Sequence, residues 1–330
     1  MKKQHEILFG LAMIAGVLLT GCKDSAGPAD DEQAPAGVTN EMDAMKYFAL
    51  QDEFVKNTEE TISDDNLYPA DYGTFGKVAA EITPLRFGRF ITSVTRTATP
   101  TILPGDSIAI VFVEKEIMGV FKIRGLNGVG DTVTIEKPFT DNSTRNLVFK
   151  RVERNPRMYW RNWVPVATSL VDGGTVAPND NIDITMVQLF LPNGDTITVT
   201  DPNSYYLRYR WLHMYDGGRK DVPEFSPNQR AILQATVVST SADTDFVALR
   251  YGVGTFQKRR MRLTLVSEVN NGDGTYTRVY QTRDSGMPGF VIHPHRGWFH
   301  AAVDAMTRET LYDDAAPYSV NWWGIPYRVF

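Results

Sequence analysis

A single cysteine, Cys22, stands in 330 residues. No disulfide can therefore form within the chain, and its cores rest on packing alone. Beyond the N-terminal apolar run no stretch of 18 apolar residues occurs, so no later segment reads as a membrane-spanning helix. Basic residues do not exceed acidic ones, 34 against 39, which excludes the electrostatic footprint of a nucleic-acid binder. Gly-x-Ser-x-Gly, His-Glu-x-x-His, Gly-x-Gly-x-x-Gly and the phosphate loop are all missing. The sequence thus assigns no catalytic residue and no cofactor.

What is present begins at the N-terminus. Lys2 and Lys3 precede an uncharged apolar run, Ile7 to Leu19, too short to span a bilayer and matching the core of a secretory signal. It ends in Leu19-Thr20-Gly21-Cys22, which resembles the lipobox of bacterial lipoproteins. The resemblance implies removal of residues 1–21, a diacylglycerol on the Cys22 thiol and an acylated new amino group. The expected partner is then a membrane, reached through the lipid, with another envelope protein or a glycan as further candidates, and the expected location is the cell envelope at the outer membrane. Each buried methylene of such an anchor contributes about 0.8 kcal/mol, so several chains make attachment lasting. Lys23, rather than an aspartate, follows the cysteine, and with the acids after it resembles the signal that exports some lipoproteins to the cell surface.

Residues 22–40 are small, charged and Pro-containing, and read as a disordered tether. Residues 23–72 hold three lysines against thirteen acids, so the acidic balance belongs to the membrane-proximal part and extends it away from an anionic surface. Within 41–81, Glu41 to Glu60 is the expected helix, capped by Asn40, with Met42, Met45, Phe48, Ala49 and Val55 on its apolar side.

From Ile82 the pattern changes to period two with frequent turn residues, which predicts a mainly β chain. Two β-sandwich domains are expected after the short helix, 82–215 and 229–330, joined by a linker at 216–228. Ser107–Val113, Met118–Arg124, Thr132–Lys137 and Asn146–Val152 read as separate strands, with Asp141-Asn142 as a turn. In the second domain Met261, Leu263, Leu265 and Val269 should face the core, and Arg260 and Arg262 solvent. The strand order, the hairpin at Asn270–Gly274 and the late strand Gly297–Ala305 resemble bacterial immunoglobulin-like or fibronectin-III-like modules. That resemblance implies a binding or structural role.

Three groups of residues invite chemistry. His293, His295 and His300 lie within eight residues and could begin a zinc or copper site, but Pro294 between the first two argues for a polar loop. Asn179 to Asp183 offers oxygens to calcium yet lacks the glycine and distant glutamate of an EF-hand. Trp160 and Trp163 suggest a stacking platform for a glycan, against the alternative that they fill a core. The expectation is a lipid-anchored envelope protein with a binding or structural role. The alternatives are a polysaccharide-binding or polysaccharide-processing lipoprotein and a hydrolase with its site at the domain junction.

Overall fold

Helix α1 (Glu41–Gln51) starts where Asn40, in extended backbone, accepts the Asp43 N–H at 2.9 Å. It stops at Asp52, whose carboxylate accepts the N–H groups of Phe54 and Val55 at 2.9 and 3.2 Å and so caps a new turn, α2 (Glu53–Lys56). The long helix expected here is therefore broken by a residue that caps better than it propagates. A computed structural model gives the structure, describing residues 34–56, 62–64, 66–70, 82–152, 154–155, 157–208, 222–253, 259–284, 287–292 and 295–330. Cys22, the rest of the lipobox and His293 lie outside these residues.

The strands follow in chain order. A two-residue strand β1 (Tyr68–Pro69) precedes three long ones, β2 (Ile82–Ile102), β3 (Ile108–Asn127) and β4 (Thr132–Arg151). Then come β5 (Trp163–Ser169), β6 (Val171–Thr175), β7 (Ile182–Phe190), β8 (Thr196–Val199) and β9 (Tyr206–Arg208). Next are β10 (Glu224–Phe225), β11 (Arg230–Ser239), β12 (Phe246–Val253), β13 (Arg259–Asn270) and β14 (Tyr276–Asp284). Short strands β15 (Met287–Pro288) and β16 (Phe290–Val291) lead to β17 (Gly297–Met306), helix α3 (Arg308–Tyr312) and β18 (Val320–Val329). The chain is mainly β, as expected, with a short N-terminal helix.

Pairing is antiparallel except between β10 and β18. It runs β2, β3, β4, then through β6 to β18, β17, β12 and β13. Strand β13 leaves β12 after Arg262 and continues beside β14, which leads to β11, β7 and β8. One face of β12, β17 and β18 packs Leu249, Val303 and Tyr327 against Leu233, Val237 and Val187 of the β7–β11 sheet. Their other face packs Ala248, Ala302 and Trp322 against Phe87, Phe121 and Phe139 of the long strands. The middle layer is thus buried on both sides, which is why β17 reads as an almost unbroken apolar run. Helix α1 covers the far end of the long strands, Met45 and Ala49 joining Val111, Leu147 and Phe149.

Three expectations need correction. Strand β7, assigned to the first sandwich, pairs with β11 of the second, and the described part of the expected linker is bonded to β18 through β10. Residues 34–330 form one compact unit. The four strands read between Ser107 and Val152 are two, because Asp141 lies fully buried inside β4 instead of in a turn. In β13 a bulge between Leu265 and Ser267 resets the alternation. Leu263 is buried as expected, while Val269 is 59% exposed and Arg260 turns inward.

Candidate functional site

No ladder joins β2 to β12 or β17 among the described residues. Charges bridge them instead. Arg89 on β2 donates to Asp304 on β17 at 3.1 Å, and Arg250 on β12 donates to the other Asp304 oxygen at 2.9 Å. Arg250 and Arg260 also reach Asp64, at 2.8 and 3.0 Å. Asp64 in turn accepts the Arg89 backbone N–H at 2.8 Å. Arg89 and Asp304 are at most 1% exposed. Burial works against the Asp304 charge, but the three arginines outweigh it and hold the carboxyl below its ordinary range. Arg260, buried beside Arg250, falls to about 10.

Asp141 completes this interior and behaves in the opposite way. Burial pushes its carboxyl up to about 7, although Arg89 pulls it down. Tyr318 donates to one of its oxygens at 3.4 Å. The Trp322 indole N–H is near enough to favour the charged form, yet lies outside hydrogen-bond geometry, and Asp141 Oδ1 has no hydrogen bond. Buried among β2, β12 and β17, these ion pairs tie the layers together.

Access is better elsewhere. Between the two layers joined by β13 lies an apolar pocket of about 410 Å³, its mouth included. Leu233, Leu249, Phe225, Tyr251, Phe290 and Tyr327 form most of its wall. The aromatic rings hold each other in place, Tyr251 meeting Phe290 edge-on at 5.4 Å and Phe225 meeting Tyr327 at 6.0 Å. The two-residue strands β10 and β16 each bring one phenylalanine, Phe225 and Phe290, to this wall. Such a wall can withdraw an apolar group from water.

The candidates named from sequence fall in different places. Trp163 is 2% exposed, donates its indole N–H to Glu41 at 2.8 Å and carries the Arg151 guanidinium on its ring at 4.5 Å. Its face is occupied by the protein itself. Burial raises the Glu41 carboxyl, but hydrogen bonds from Trp163, Asn162 and Arg151 bring it below its usual range. Trp160 is half-buried in the 3-10 turn Tyr159–Arg161, edge-on to Tyr159 at 5.2 Å. His295 is exposed on a loop, whereas His300 points into the interior and packs edge-on against Phe54 at 5.8 Å. These two are not brought together, and no cluster of three metal-ligating side chains occurs among the described residues. Asn181 is held by main-chain pairing with Thr240 and by the Ser319 hydroxyl.

The buried charges escaped the sequence reading. Their signal was a lone ion inside an apolar strand, as in Ala-Ala-Val-Asp304-Ala-Met and Val-Ala-Leu-Arg250-Tyr. Comparison with protein families, with curated proteins and with solved structures finds no match to this chain.

Proposed function

We propose that the protein is a lipid-anchored binding module of the cell envelope that holds a small apolar group between the layers of its C-terminal half. The anchor rests on the lipobox, Leu19-Thr20-Gly21-Cys22. The binding role rests on one observation, the aromatic-walled pocket at Phe225, Tyr251, Phe290 and Tyr327. Each methylene withdrawn from water there is worth about 0.8 kcal/mol, so four of them give about 3 kcal/mol. A ligand with a short alkyl or aromatic end fits this chemistry better than a glycan does. Placement on a lipid tether would keep the pocket close to the membrane from which such ligands come.

The test has two arms. Cys22→Ser should abolish incorporation of a fatty-acid label, and retained label would refute the anchor. The neutral probe N-phenyl-1-naphthylamine should brighten on binding the wild type. Ala301→Leu, which adds side-chain volume from the pocket wall, should weaken that binding at least tenfold with unchanged circular dichroism. Equal binding by wild type and variant would place the probe elsewhere and remove the support for an apolar ligand.

A further inference from the structure

The connection between β4 and β5 concentrates cations. Residues 151–161 hold four arginines, Arg151, Arg154, Arg157 and Arg161, against one acid, Glu153. Arg151 is taken up by Glu41 and Asp106, and Arg154 shares Asp106 at 3.2 Å while remaining 67% exposed. Arg157 is exposed as well. Apolar side chains stand among them, since Val152 is 52% exposed and Trp160 is half-buried. Asn162, itself buried, pins the connection in place. Its side chain accepts the Asn155 N–H at 3.0 Å and donates to the Asn155 carbonyl at 3.3 Å and to Glu41 at 2.6 Å. The N-terminal end of the described chain is held at the same place. Tyr159 donates its hydroxyl to the Val38 carbonyl at 2.8 Å, and Trp163, Asn162 and Arg151 all donate to Glu41, the first residue of α1. Cys22 stands twelve residues before Ala34, a span of at most about 40 Å when fully extended and about 20 Å as a flexible chain.

We infer that this loop is a second membrane contact, which lays Arg154, Arg157 and Trp160 on the headgroups of an anionic phospholipid bilayer. The inference rests on the lipid-anchored reading above. Chain length supports it, because a body tethered so briefly meets the bilayer with the surface around its point of attachment. The mix of side chains selects the occupant. Guanidinium groups pair with phosphates, and tryptophan favours the interfacial layer of a bilayer. A soluble anion or an acidic peptide would use the arginines and leave the apolar side chains in water. The net charge of −5 does not oppose such docking, since acids more than about 8 Å from the contact are largely screened at physiological salt. Acyl chains hold the protein to the membrane, and the loop decides which side of the body faces it.

The test uses residues 22–330 with Cys22→Ser, so that no acyl chain contributes and failure of the loop is distinguishable from failure of the anchor. Co-sedimentation with vesicles of phosphatidylglycerol and phosphatidylcholine should show binding that weakens at least tenfold on pure phosphatidylcholine and falls with added salt. Arg154→Gln with Arg157→Gln should weaken binding to the mixed vesicles about tenfold or more. Both side chains are exposed, so melting curves should match the wild type. Arg86→Gln with Arg124→Gln removes an equal charge from an exposed pair toward the other end of β2 and β3, and should leave binding unchanged. Brominated phosphatidylglycerol should quench tryptophan emission of the wild type, and much less that of Trp160→Phe. Absence of binding to the mixed vesicles, equal loss in the two double variants, or equal quenching in Trp160→Phe would each overturn the contact. So would competition by inorganic phosphate, which marks a soluble anion, or dimerisation lost in the loop variant, which marks a second copy. Binding that appears only after Asp30→Asn, Asp31→Asn and Glu32→Gln would make the chain's own acids the occupant and overturn it as well.

Discussion

Replacing Asp304 by asparagine tests the idea that ions, not a ladder, close the fold. Asp304 accepts from Arg89 at 3.1 Å and from Arg250 at 2.9 Å, with all three side chains at most 5% exposed. After the change Arg250 keeps Asp64 at 2.8 Å and the Ile62 carbonyl at 3.1 Å. Arg89 keeps neutral partners alone, the amide oxygen of the new side chain, the Ile62 carbonyl at the 3.5 Å limit and the Tyr318 ring at 5.5 Å. A buried guanidinium is thereby left without a carboxylate. Removing one partner of a buried ion pair typically costs about 3–5 kcal/mol. The cost falls on Arg89 because water cannot reach it.

Urea unfolding followed by tryptophan fluorescence reads the effect. With a slope of about 3 kcal/mol/M, the expected loss lowers the midpoint by about 1 M or more. The double variant Arg89→Met with Asp304→Leu removes both charges and should be more stable than Asp304→Asn alone, despite carrying more changes. A midpoint for Asp304→Asn within about 0.3 M of wild type would refute the reasoning, since no other described group offers Arg89 a charge partner at hydrogen-bond distance.

Two further outcomes follow from the same interior. Asp141 titrates near 7 in the fold and near 3.9 when unfolded, so the folded state binds more protons between those values and stability falls as pH rises through that window. Asp141→Asn should therefore flatten the difference in urea midpoint between pH 5 and pH 8, and an unchanged difference would contradict the raised carboxyl. Gly173 faces Trp322 across the β6–β18 pair, where an added Cβ would overlap the indole ring. Gly173→Ala should destabilise by about 1–3 kcal/mol in the same assay, whereas loss of less than about half a kcal/mol would mean that Trp322 has room to move.

Local signals survived into the structure and long-range ones did not appear in the sequence. Asn40 could be recognised as a cap because capping is decided within four residues, and the positive φ of Gly272 and Gly274 follows from hairpin chemistry. Leu249, Leu263 and Val303 could be placed inward because period two is a property of each strand by itself. The partner of a strand is not such a property. Strand β7 runs into Pro192-Asn193-Gly194-Asp195 and hairpins with β8, so it looks complete, yet its other edge takes β11 about fifty residues on. Polarity misled in the same way. Asp141 read as a turn residue, because a charged residue is seldom fully buried, yet it and Lys115, which fell between two expected strands, lie on the inner face of twenty-residue strands. The bulge at Leu265–Ser267 carries no glycine or proline to announce it.

The placement of these ions answers a difficulty of the architecture. Seen along β17, the face toward the long strands offers Ala302, Asp304 and Met306, and across from it stand Phe87, Phe121 and Ile123. Small alanines against large phenylalanines leave apolar contacts that change little if one layer slides by a residue pair. A ladder would forbid the slide, but β2 and β17 share none. The Arg89–Asp304 and Arg250–Asp304 bonds do forbid it, because a shift of two residues, about 6.6 Å along a strand, would leave each charge buried without a partner. The wholly apolar double variant separates the two effects. If the ions serve register, Arg89→Met with Asp304→Leu should gain stability over Asp304→Asn while losing spectral uniqueness, seen as broadened amide resonances. If it stays as sharp as wild type, packing alone sets the register and the ions are dispensable to it.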